Sequence, residues 1–205
     1  PFASPQTPSK DVPAGSPVAG KAELTFDGPG TLTAGGDIKA EASGYYTWVW
    51  QIKKASQGDN AQYIRKDFSD GFFTVGETTI VKMNPGITTE RDERLVLAGD
   101  ELIDNLTVKL PAGDKWMTDE AGKPVEIPVT VTAYGPYDVP QAQTPEVPAG
   151  APVAGTETLV FSAEGVKATS GKAIATAPGF YTWVAVGAET EYSESFTHDF
   201  WVEVE

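Results

Sequence analysis

His198 is the only histidine of the chain and stands close to Ser193, Ser195 and Asp199, so one serine–histidine–aspartate set is arithmetically available. Neighbouring residues on a strand point to opposite faces, however, which leaves Asp199 badly placed to orient His198. No serine framed by glycines marks a nucleophile elbow. No glycine-rich loop stands between a strand and a helix to cradle a phosphate. The expectation is therefore no enzyme and no cofactor. Asp67-Phe68-Ser69-Asp70-Gly71 with Glu77 is similar to a calcium loop, but its glycine is misplaced. Asp100, Glu101 and Asp104 lie in one short segment that does not converge when extended. Both acidic groups read as solvated charge, and no metal site is expected. Asn105-Leu106-Thr107 fits a glycosylation sequon and is given no role.

The elements that carry these residues come in two copies. Val12-Pro13-Ala14-Gly15-Ser16-Pro17-Val18-Ala19-Gly20 recurs as Val147-Pro148-Ala149-Gly150-Ala151-Pro152-Val153-Ala154-Gly155. The match runs without a gap at an offset of about 135 residues, with about 19 of 39 positions identical. It ends in Gly44-Tyr45-Tyr46-Thr47-Trp48-Val49 against Gly179-Phe180-Tyr181-Thr182-Trp183-Val184. Such a period is too long for a solenoid and indicates tandem modules.

Within each copy the apolar pattern has period two, the signature of strands. Leu24 and Phe26 alternate with Thr25, and Tyr46, Trp48, Trp50 and Ile52 share one side of an expected strand. Further expected strands are Phe72 to Val81, Leu102 to Leu110, Val125 to Tyr134, Thr156 to Phe161, Lys172 to Thr176 and Phe196 to Val204. Turn signals separate them, at Asp27-Gly28-Pro29-Gly30, Ala34-Gly35-Gly36, Pro111-Ala112-Gly113-Asp114 and Ala121-Gly122-Lys123-Pro124. No helical stripe is present. The fold class expected is all-β, as tandem immunoglobulin-like β-sandwich modules. Counting strands divides the chain into a first module, 1–87, lacking its first strands, and a second module, 88–205; a cut near Val139 is the rival. In a sandwich Trp48 and Trp183 belong to the core. Trp50, replaced by Ala185 in the second copy, and Trp116, beside a turn, are expected to be exposed and to offer rings to a ligand.

The balance of charge restricts partners. Twenty-nine acidic side chains face 15 basic ones, a net charge of −14, which repels nucleic acid and anionic lipid. No run of 18 apolar residues exists, so no membrane insertion is expected. Zero cysteines removes disulfides and thiolate metal sites, and fits an exported bacterial protein as well as a cytosolic one.

The order of Tyr134-Gly135-Pro136-Tyr137, Val147-Pro148-Ala149-Gly150, Gly44-Tyr45-Tyr46-Thr47-Trp48-Val49-Trp50 and Glu77-Thr78-Thr79-Ile80-Val81 resembles repeats in large cell-wall-anchored surface proteins of Gram-positive actinobacteria. The resemblance implies an extracellular, sortase-anchored stalk whose partners are neighbouring modules of the same protein. Its alternative is that the modules themselves bind a host matrix protein or glycan. The layout is similar, more distantly, to stalk domains that form an intramolecular ester between a threonine on the first strand and a glutamine on the last. That likeness puts Thr88 and Thr89 at the threonine position and His198 and Asp199 at the assisting position. It puts the acceptor at Glu77 in the first copy and Glu205 in the second, where a carboxylate replaces the amide. Arg65-Lys66-Asp67 would stand in the first copy where His198-Asp199 stands in the second. The sister chemistry, a lysine–asparagine isopeptide, finds Lys109, Asn105, Asp104, Lys172 and Glu157 in the sequence, with no spacing that selects a pair.

Overall fold

The structure, a computed structural model, describes residues 1–92 and 95–201. It is mostly β, with 36% of residues in strands and 6% in helix. The helical part consists of short 3₁₀ turns at Lys54–Ser56, Gly58–Tyr63 and Val75–Glu77. Sixteen prolines and 21 glycines leave little sequence in which a longer helix could propagate. No helix is long and apolar enough to cross a membrane among the described residues. The chain clusters into two compact units, Pro1–Val81 with Thr118–Gly122, and Lys82–Met117 with Lys123–Glu205.

In the first unit β1 (Gly44–Thr47) pairs antiparallel with β4 (Thr78–Val81), Tyr45 facing Ile80 and Tyr46 facing Thr79. A second short pair joins β2 (Gln51–Ile52) to β3 (Phe68–Ser69). On the other edge of β1, Phe2 and Tyr45 exchange both backbone hydrogen bonds, at 3.0 and 2.9 Å. The rings of Phe2, Tyr45, Phe72 and Phe73 meet at centroid distances of 5.8 to 6.3 Å, tilted or edge-on, and form the core. The buried Tyr45 hydroxyl donates to the Thr118 carbonyl at 2.8 Å, and Thr118 N–H donates to Ala3. Those two bonds tie the 118–122 segment into this unit.

Two expected strands are corrected here. Leu24 to Phe26 forms none, and Phe26 is exposed. Its counterpart in the second copy, Leu159 to Phe161, is a strand that pairs with Ile127 to Val129, whereas Leu24 to Phe26 pairs with no strand among the described residues. The strand expected from Tyr46 to Ile52 is divided because its edge partner changes. Trp48 N–H donates to the Glu77 carbonyl, whereas Trp50 bonds both ways with Asp70.

In the second unit β13 (Phe196–Thr197), β12 (Phe180–Gly187), β8 (Ile127–Tyr137) and β9 (Val153–Phe161) form an antiparallel sheet in that order. A three-stranded sheet has the order β10 (Gly165–Ala168), β7 (Asp104–Lys109), β5 (Gly86–Arg91), and a short pair joins β11 (Ala173–Ile174) to β6 (Glu101–Leu102). Strand β8 alternates as its sequence does: Ile127, Val129, Val131 and Ala133 are fully buried, and Pro128 and Thr130 exposed. Each large apolar side chain removed from water in this way contributes about 1.5–3 kcal/mol. One cluster gathers Leu102, Ala133, Ala173 and Ala175, with Trp183 packed against it; another gathers Val184, Phe200 and Trp201.

The duplication is visible at atomic detail. Tyr46 and Tyr181 donate their hydroxyls to the carbonyl four residues earlier, Ala42 and Ala177, at 2.7 and 2.9 Å. Ser9 and Phe72 exchange backbone bonds, and so do Thr144 and Phe200. The aromatic residue that follows, Phe73 or Trp201, has φ of 57 or 58°, a left-handed conformation that costs a bulky residue about 1–3 kcal/mol. A cost retained in both copies shows that the surrounding packing over-determines this bend. The first copy carries extra residues around the 3₁₀ turns at Lys54–Tyr63, so beyond them counterparts lie about 128 residues apart.

Candidate functional site

Strand β5 runs antiparallel to β7 with Thr88 opposite Thr107 and Thr89 opposite Leu106. Directly opposed residues share a face, so Thr89 lies on the side of the buried Leu106 and is half-buried, while Thr88 is exposed. Of the two threonines expected at this position, the register therefore turns Thr89 inward. Its Oγ1 lies 3.3 Å from His198 Nε2. His198 follows β13, where its N–H donates to the Ala185 carbonyl at 3.0 Å. Its Nδ1 is buried without a hydrogen-bond partner. Burial holds the imidazole below its ordinary pKa against the opposing pull of Asp199, which favours the neutral ring.

Asp199 does not orient the ring through a side-chain contact: its Oδ2 accepts from Gln143 Nε2 at 3.2 Å. The arrangement is a threonine–histidine pair in which a neutral imidazole nitrogen can accept the hydroxyl proton. Ser193 is fully buried and its hydroxyl is bonded to Thr190 at 2.8 Å, while Ser195 is exposed. Neither serine is hydrogen-bonded to His198 among the described residues, so no serine triad is assembled there.

A second chemically unusual group sits on the same face. The alternation of β7 buries Asp104 with Leu106 and Val108. Asp104 is 1% exposed, its Oδ2 has no partner, and desolvation raises its pKa to about 7, against the opposing hydrogen bond from the Asn105 backbone. Two residues along β7 from Leu106, it is diagonal to Thr89, a spacing of about 7 Å in an antiparallel pair. The sequence does contain the signal, an aspartate at the apolar phase of Asp104, Leu106, Val108, and its burial corrects the expectation of solvated charge at Asp104.

The remaining candidates are dispersed. Glu77 is half-buried in the turn before β4, with its backbone carbonyl bonded to Trp48, and Glu205 lies outside the described residues. The first-copy counterpart of His198 is Asp70 and not Arg65-Lys66-Asp67: Asp70 N–H donates to Trp50 just as His198 N–H donates to Ala185, the residue matching Trp50. The insertion around Lys54–Tyr63 displaced the sequence alignment there. The carboxylates of the segment similar to a calcium loop serve as backbone acceptors, Asp67 for Lys54 N–H at 2.8 Å and Asp70 for Trp50 N–H at 2.9 Å. Asp100 likewise accepts from Leu97 N–H. No group of three potential ligands is placed to hold a metal among the described residues. Trp50 is 37% exposed and stacks on the half-buried Trp48, with centroids 5.8 Å apart and planes 13° apart. Trp116 is half-buried and its indole N–H is committed to the Val125 carbonyl at 2.8 Å, which corrects the expectation of an exposed ring. Lys172 is paired with Glu157, whose carboxylate also accepts two bonds from Ser170.

No family model matches the chain, and no curated protein or solved structure does.

Proposed function

We propose that the chain is a stalk or spacer segment of a bacterial cell-surface adhesin, built from immunoglobulin-like modules and presenting a distal binding domain from a Gram-positive cell wall. The observation that carries this reading is the recurrence of one backbone signature in both copies, from the tyrosine bonded four residues back to the paired Ser9–Phe72 and Thr144–Phe200 bridges. Repetition of a unit whose hydrogen-bonded edges are retained suits a protein whose task is distance and mechanical continuity. Antiparallel ladders such as β8–β9, in register over most of their length, resist load along the strands because many hydrogen bonds must break together. The acidic surface keeps neighbouring copies apart. Pulling a single chain between handles at its two ends is expected to give two resisted unfolding events. Extension with no resisted step would remove the mechanical reading.

The Thr89–His198 contact favours a second reading, that the second module hardens itself by an ester. Thr89 Oγ would attack the side-chain carbonyl of a glutamine or glutamate on the last strand, with His198 Nε2 taking the hydroxyl proton and returning it to the leaving group. Ammonia leaves a glutamine and water leaves a glutamic acid, with no change of oxidation state. In this chain the resemblance gives the acceptor position to Glu205, so water would be released. Intact mass spectrometry checks it: the mass is expected to fall short of the residue sum plus terminal water by one water, and Thr89→Val to restore it. A parent mass without that deficit refutes the ester.

A further inference from the structure

We draw no further inference here: the strongest candidate, the exposed basic surface patch at the tip of the β2–β3 hairpin formed by Lys53, Lys54, Arg65 and Lys66, carries none because nothing in the structure shows what covers it.

Discussion

At pH 8, Asp104→Asn is expected to be more stable than the parent chain by up to about 4 kcal/mol, and at pH 4 the two are expected to differ little. The cause is the burial of a carboxyl on the apolar face of β7, with one oxygen left without a partner. Its pKa is raised from 3.8 to about 7, and each pH unit between those values corresponds to about 1.36 kcal/mol. Below pH 3.8 the group is protonated whether the chain is folded or not, and its ionisation has no effect. As the pH rises toward 7, the unfolded chain releases the proton while the folded chain holds it, so stability falls across that window and levels off above it. Asparagine keeps an acceptor for the Asn105 N–H and has no charge to desolvate. Urea unfolding of both chains from pH 4 to pH 8 checks this; a parent stability that rises over that range, or an asparagine variant that tracks the parent, would show that Asp104 ionises freely.

The second large effect is expected from Phe200→Ala, a loss of about 3–5 kcal/mol. Phe200 is 1% exposed and touches Tyr134, Tyr137 and Trp201 at centroid distances of 6.0, 6.1 and 6.0 Å. Truncation removes the transfer energy of the ring and leaves a cavity walled by three rigid aromatics that cannot collapse into it. It also loosens the reason for Trp201 to remain at φ 58°, and with it the backbone pairing of Phe200 to Thr144. Denaturant unfolding gives the magnitude, and amide exchange at Thr144 and Phe200 gives the local consequence. A loss below about 1 kcal/mol would mean that this cluster is not the core of its region.

Much of the second unit was legible in its alternation. Ile127, Val129 and Val131 occur at every second position, and β8 buries those positions. The first copy, with the same pattern at Leu24 and Phe26, forms no strand there, because a strand needs a partner edge and alternation describes only the strand's own two faces. The likeness of Arg65-Lys66-Asp67 to His198-Asp199 failed for a related reason: a gapless comparison cannot see that the 3₁₀ turns at Lys54–Tyr63 shift the frame, whereas the backbone bond to Trp50 marks Asp70 directly.

For the candidate site, composition alone established that there is one histidine, no thiol and a strongly acidic chain, and resemblance drew attention to Thr88, Thr89, His198 and Asp199. Which threonine turns inward depended on the pairing of β5 with β7, since a shift of one residue would exchange their faces. That Asp199 bonds to Gln143 rather than to the imidazole, and that Asp104 is sealed on the same face as Thr89, are contacts between residues far apart in the chain. The sequence by itself determined the repeat, the all-β class and the kinds of side chain present, because these follow from local composition and period. The tertiary structure alone decided which of those side chains meet, because register and burial are set by partners that local patterning does not name.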